Sequence, residues 1–197
     1  MQNNYNFFAM VNRMKYIDRW ALMPNANKEN IAEHSHSVAV IAHALALIGN
    51  REFGKNYNPE RAALLALYHD TTEVITGDMP TPVKYYNNDI KSAYKSIESA
   101  AGSRLLDMLP EELKDEYSPL FNKEPADEEL WKIVKAADKI DALIKCINET
   151  RLGNKEFEKA LEAQKKIIAD IDMDEVRYFE KEFLPAYYLT LDEHTKR

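Results

Sequence analysis

The chain has one cysteine, Cys146. No disulfide can form within it, so a reducing compartment is expected. Cys146 lies in the amphipathic stretch Lys-Ile-Asp-Ala-Leu-Ile-Lys-Cys-Ile-Asn, where it reads as a small buried apolar residue and not as a nucleophile. Glycine and proline are also scarce, with 5 and 8 in 197 residues, and most stand where helices should begin or end. No segment alternates apolar and polar residues for long, and no Asn-Gly or Asp-Gly hairpin signal occurs, which argues against a β fold. Long hydrophobic runs are absent too. The most apolar stretch, Val38 to Ile48, is broken by His43 and is too short to span a bilayer. The first residues lack the basic-then-apolar pattern of a secretory signal, so a cytoplasmic protein with no membrane partner is expected. Positive charge is the scarcer sign: Lys plus Arg is 26 against 33 for Asp plus Glu, a net charge of −7. Such a chain is a poor nucleic-acid binder, although a local cation can still hold a small anion.

What is present fits one soluble globular domain over residues 1–197, with 45% hydrophobic and 30% charged residues. The spacing predicts an all-α protein of six or seven substantial helices. A first helix covers Phe7 to Tyr16. Asn30 and Glu33 form a capping box that opens a second, stopped by Gly49. Asn58 and Pro59 open a third, apolar nearly all round in its first half and running on to Gly77. Thr81-Pro82 starts a long helix to about Met108. Pro110 opens a short one, Asp127 a long one ended by Gly153, Asn154 the next, and Asp174 to Phe183 the last.

The informative pair is His69-Asp70, at the end of a helix expected to be buried. A buried carboxylate needs a partner or a metal. Glu73 lies four residues after His69 and three after Asp70, so all three lie on one face of the helix. Alone, a His-Asp pair reads as a hydrogen bond within a helix. His34 in the preceding helix and Asp138 in the later segment Val-Lys-Ala-Ala-Asp change the balance. Together with His69 and Asp70 they offer two nitrogens and two carboxylates from three helices, a good divalent-metal set. Arg19-Trp20 precedes the His34 helix.

The order H…HD…D resembles that of the HD-domain metal-dependent phosphohydrolases. The segments DRWALMPN, ENIAEHS, LLALYHDTTEVITGDMPTPVKYY, VKAADKIDALIKC and FLPAYYLTLDE resemble the bacterial 5′-deoxynucleotidases within that superfamily, from Phe7 to about Glu193. The resemblance implies an HD-domain helical bundle that hydrolyses 2′-deoxyribonucleoside 5′-monophosphates to deoxynucleoside and phosphate, with metal-bound water as nucleophile. It implies one divalent cation per chain, Co2+, Mn2+ or similar, held by His34, His69, Asp70 and Asp138. It places substrate against Arg19, Trp20 and the loop Asp78-Met79-Pro80-Thr81, with His34, Asp70 and Asp138 also facing it. Arg19, Glu73 and Asp70 are then the catalytic residues. Arg19 would grip phosphate oxygens, and Glu73 would orient water or move a proton. Trp20 would disfavour a 2′-hydroxyl, and Asp78 would accept a bond from the 3′-hydroxyl. A homodimer is implied as well. Tyr85, Tyr86, Tyr187 and Tyr188 would suit an interface, though core packing explains them as easily.

Blander readings stand beside these. Arg19 reads as a surface residue, Trp20 as core, Glu73 as a partner for Lys84 or a solvated residue, Asp78 as a turn residue and Lys84 as part of a solvated face. His36 and His43 read as core or interface histidines, and His194 as solvated. Periodicity puts Asp141 closer than Asp138 to the apolar face of its helix, so Asp141 is second shell, a lysine partner or a rival ligand. Two other functions compete: an HD-domain hydrolase of another nucleotide phosphoester, and a non-catalytic helical binding module. The Arg-Trp pair and the loop argue against the first, the intact ligand set against the second.

Overall fold

A computed structural model describes residues 5–84 and 86–195, with the backbone alone at Thr81. Tyr85 and the Thr81 side chain therefore lie outside the described residues. All regular structure within them is helical. The α-helices are α1 Phe7–Val11, α2 Ile31–Glu52, α3 Pro59–Tyr68, α4 Glu73–Thr76, α5 Thr81–Lys84, α6 Asn88–Leu106, α7 Glu111–Phe121, α8 Glu128–Arg151, α9 Glu158–Ala169, α10 Asp174–Glu182 and α11 Leu191–Thr195. Seven of these have nine residues or more, in line with the expected number.

Caps explain the boundaries that sequence located well. Asn30 Oδ1 accepts from Glu33 N at 3.0 Å, and Glu33 Oε2 accepts from Asn30 N at 3.2 Å, the reciprocal pair of a capping box. Asn58 Oδ1 accepts from Arg61 N at 2.9 Å at the start of α3. Gly153, just beyond α8, has φ +82°, where a side chain would be strained.

Several expectations are corrected. The Phe7–Tyr16 helix is α only to Val11 and tightens to a 3₁₀ helix over Asn12–Tyr16. Gly49 does not stop α2, which runs to Glu52. A Cβ at position 49 would lie 2.7 Å from Tyr57 Cε2, so this glycine admits a close-packed ring. The helix expected to reach Gly77 ends at Tyr68. Thr71 N donates to Tyr68 O, Glu73 N to Asp70 O and Val74 N to Thr71 O, short-range bonds of a tight turn. Thr71 and Thr72 are β-branched, and the Thr71 hydroxyl is buried against Met14 Sδ at 3.7 Å, so this stretch favours the turn over the helix. The helix predicted over 81–108 is likewise broken before Asn87, whose Oδ1 accepts from Ile90 N at 2.8 Å and starts α6.

The chain divides into two compact units. Among the described residues, one comprises 5–23, 28–36, 67–84 and 86–128; the other comprises 24–27, 37–66 and 129–195. The first has its own apolar cluster, with Phe7, Leu105 and Leu109 buried among Met10, Tyr68, Tyr117 and Phe121. Phe7 packs edge-on to Tyr117, ring centroids 5.1 Å apart. In the second, Ile133, Ala137, Ile140, Leu143 and Ile147 of α8 are buried, as are Phe157, Ile168 and Val176. Cys146 is buried there as well. By length and composition α2 could cross a membrane, yet half of its apolar window is buried inside the protein, as in the core helix of a soluble protein.

Candidate metal and phosphate site

His34 follows the capping box and lies in the first turn of α2, fully buried. Its backbone N–H donates to Asn30 O at 3.1 Å, so the cap that starts the helix also fixes this residue. His69 and Asp70 occupy the turn after α3. Asp70 Oδ2 lies 3.1 Å from His69 Nε2 and 3.4 Å from His34 Nε2, and the two rings are 5.2 Å apart. The imidazoles are 9% and 0% exposed, whereas the Asp70 side chain is 26% exposed, so the cluster opens on its carboxylate side. Burial disfavours the Asp70 carboxylate, but electrostatic attraction to the adjoining His69 and His34 imidazoles outweighs it. They hold the carboxyl well below its usual range.

The donor set fits a divalent cation. Two ligands about 2.1 Å from a shared ion stand roughly 3.0–3.4 Å from each other in octahedral or tetrahedral geometry. Both nitrogen–oxygen separations match that edge length. Neutral imidazole and carboxylate are also the ligands such ions prefer.

Glu73, the first residue of α4, is 6% exposed, and its Oε2 accepts no hydrogen bond from the described residues. Burial, then the charges of Asp70 and Asp78, push its carboxyl up to about 9, with Lys84 and Arg19 opposing. Asp78 follows Gly77, whose φ of +72° makes the turn out of α4. Burial raises the Asp78 carboxyl against the pull of Arg19. Met79 and Pro80 are half-buried, and Pro80 O accepts from Val83 N and Lys84 N to begin α5.

Arg19 is not a surface residue. Its side chain is 12% exposed, Nη1 donates to Glu29 Oε2 at 2.8 Å, and its backbone N–H donates to Glu29 O at 2.9 Å. Trp20, half-buried and not core, has φ +57°, the sole left-handed non-glycine among the described residues. Such a backbone costs on the order of 1–2 kcal/mol and persists where its surroundings enforce it. Lys84 does not pair with Glu73 and does not lie on a solvated face. Nζ donates to Glu98 Oε1 at 3.0 Å and sits 4.6 Å over the Tyr94 ring.

Asp138 is carried by α8 in the other unit, where its Oδ2 accepts from Lys139 Nζ at 2.9 Å. Asp141 is buried, 5% exposed, as its periodicity predicts, whereas Asp138 is only half-buried. His36 is exposed and His43 half-buried, so neither is a core histidine; His194 is exposed, as expected. Tyr86 and Tyr188 are exposed, and Tyr187 is half-buried. Sequence reasoning missed Glu29, which no periodicity marks. It also missed Lys145 and Glu149, both buried. Their signal was available: Asp141, Lys145 and Glu149 recur every four residues on the inner side of α8.

The family described as 5′-deoxynucleotidase YfbR-like matches residues 6–187. A 5′-deoxynucleotidase of Vibrio cholerae is 51% identical over 98% of this chain and 99% of its own length. The 5′-deoxynucleotidase YfbR of Shigella dysenteriae is 48% identical, over 95% of this chain and 94% of its own. Among solved structures, an HD-domain phosphohydrolase from Listeria innocua superposes with a TM-score of 0.81 at 24% identity, covering 98% of this chain and 92% of that one. The cyanophage S-2L HD phosphohydrolase DatZ, bound to dA and one catalytic Zn2+ ion, gives a TM-score of 0.62 at 20% identity over 92% of this chain and 96% of its own.

Proposed function

Because the chain belongs to the 5′-deoxynucleotidase YfbR-like family, we infer that it hydrolyses 2′-deoxyribonucleoside 5′-monophosphates to deoxynucleoside and phosphate. It is a phosphomonoester hydrolase of the HD superfamily. The observation that carries this reading is the meeting of two imidazoles and one carboxylate at metal-ligand spacing, in the same unit as a buried glutamate and a held arginine.

His34, His69 and Asp70 hold one divalent cation, Co2+, Mn2+ or a similar ion. Asp138 enters as the fourth ligand on the H…HD…D motif alone. When bound, the cation supplies Lewis-acid polarisation of a phosphate oxygen and lowers the pKa of water. Arg19 donates to the non-bridging phosphate oxygens and fixes the phosphorus relative to Asp70. Glu73 handles the proton at Oε2. Burial and the Asp70 and Asp78 charges push its carboxyl up to about 9, so it carries a proton, and a nearby positive charge favours giving it up. Asp78 accepts from the sugar 3′-hydroxyl, Met79, Pro80 and Thr81 line the nucleoside, and Trp20 leaves a 2′-hydroxyl without a partner. The same reading makes residues 1–197 one HD domain, cytoplasmic and homodimeric, with no nucleic-acid or membrane partner.

Phosphate release from a panel of deoxy- and ribonucleoside 5′-monophosphates tests this. Activity on the deoxy series should need added Co2+ or Mn2+ and vanish with chelator. Asp70→Asn should lose at least ~10³-fold, since Lewis-acid stabilisation is worth several kcal/mol. Trp20→Ala should narrow the preference for deoxy over ribo substrates. Chelator-resistant hydrolysis, or an unimpaired Asp70→Asn enzyme, would overturn the reading.

A further inference from the structure

We propose that Glu29 is a positioning residue that holds the Arg19 guanidinium in its phosphate-gripping orientation; this rests on the reading of Arg19 as the phosphate ligand. Backbones 17–19 and 29–31 run side by side. Asp18 and Asn30 form an antiparallel bridge, Arg19 N donates to Glu29 O at 2.9 Å, and Ile31 N donates to Ile17 O at 3.0 Å. Glu29 is thereby fixed in backbone before its side chain does anything. Its Oε2 then accepts from Arg19 Nη1 at 2.8 Å.

Both side chains are largely buried, at 12% and 16% exposure, so this is not a solvent-screened surface pair. An arginine has four rotatable side-chain bonds, and freezing them when substrate arrives opposes binding and alignment. Glu29 freezes them beforehand. The next residue, Asn30, caps the helix whose first turn carries His34, and a Glu29 oxygen lies within 4.8 Å of a His34 ring nitrogen. One short segment therefore sets the cation-binding imidazole and the phosphate-binding guanidinium relative to each other. This is the alignment an in-line displacement at phosphorus requires.

The test is a double-variant cycle on the full chain loaded with Mn2+, read as kcat/KM on deoxyadenosine 5′-monophosphate. Glu29→Ala should lose about 10²-fold, the order expected for a misplaced catalytic group. Glu29→Gln keeps an acceptor for Nη1 and should stay within ~10-fold of the parent. In an Arg19→Ala background, Glu29→Ala should cost under ~3-fold more, because nothing is left to position. Metal content should remain one equivalent in each variant. Equal losses from Glu29→Ala with and without Arg19 would overturn the proposal, as would loss of the metal, which would make Glu29 a ligand. Should Glu29→Ala fail to fold, Glu29→Met, of similar length without an acceptor, carries the same cycle. An active Arg19→Ala enzyme would refute the phosphate reading and this inference with it. An inactive Arg19→Ala beside a fully active Glu29→Ala would refute this inference alone.

Discussion

Replacing Glu149 by glutamine probes how the second unit holds residues 24–27. Glu149 is 1% exposed and collects four donors. Lys145 Nζ reaches Oε1 at 2.6 Å and Asn27 N reaches it at 3.0 Å, while Ala26 N reaches Oε2 at 2.8 Å and Asn154 Nδ2 at 2.7 Å. Lys145 also donates to Asn27 O, and Asn154 to Pro24 O, so the same few groups anchor most of that loop. Burial alone would raise the carboxyl, but the Lys145 and backbone donors outweigh it and bring it from 4.5 to about 2. At face value that shift stabilises the fold by about 3 kcal/mol. Pro24, Ala26 and Asn27 over the group are themselves exposed, so solvent screening reduces this to roughly 1–2 kcal/mol. The folded value lies below the unfolded one, so the stabilisation is complete above pH 4.5 and is lost as pH falls from 4.5 to 2. Glu149→Gln also strips the Lys145 ammonium of its counter-charge, bringing the expected loss at pH 7 to about 2–4 kcal/mol. Urea unfolding followed by circular dichroism at pH 7 and pH 3 measures it. The gap between parent and variant should shrink by about 1 kcal/mol at pH 3, which lies part-way between the two values. A gap of equal size at both would refute the argument that the charge, and not the shape, of Glu149 is what matters.

Glu73 has the opposite sign. Its folded value of about 9 exceeds 4.5, so stability of the chelated protein falls as pH rises between them. Chelated Glu73→Gln should melt with its parent at pH 5 and be more stable at pH 8.5, by on the order of 4 kcal/mol; no pH-dependent gain would refute the buried-acid assignment. Gly49→Ala should cost about 1–3 kcal/mol despite alanine's better helix propensity. The new Cβ would press on Tyr57, whose hydroxyl is tied to Glu175 Oε1 at 3.1 Å. A raised melting temperature would show that the ring yields freely.

Local signals carried much of this fold. Asn30, Asn58 and Gly153 end or begin helices through bonds within three or four residues, and such bonds are visible in sequence. The break at 69–72 was not visible, because it depends on a contact outside the window; the one before Asn87 carries a local cap, Asn87 to Ile90, that the reading passed over. Thr71 is committed to Met14, 57 residues away. Glu29 is fixed by backbone pairing with Arg19, ten residues earlier, in a stretch without periodicity. Glu149 was hidden differently. A charge on the inner side of a helix reads as an exception until its donors, more than 100 residues away at Ala26 and Asn27, are in place.

The break at His69 also explains why these two ligands can adjoin in sequence. Consecutive residues of an α-helix point about 100° apart, and positions i and i+1 do not face each other. In an unbroken helix over 59–77, His69 and Asp70 would diverge, and only Glu73 would share a face with either. The turn after Tyr68 releases that constraint. It lets His69 Nε2 and Asp70 Oδ2 come within 3.1 Å of each other and brings Asp70 within 3.4 Å of His34 on a different helix. Glu73 then restarts helical structure with its carboxyl buried, three residues on. Adjacent ligands thus require a helix end, and the paired threonines that follow supply one.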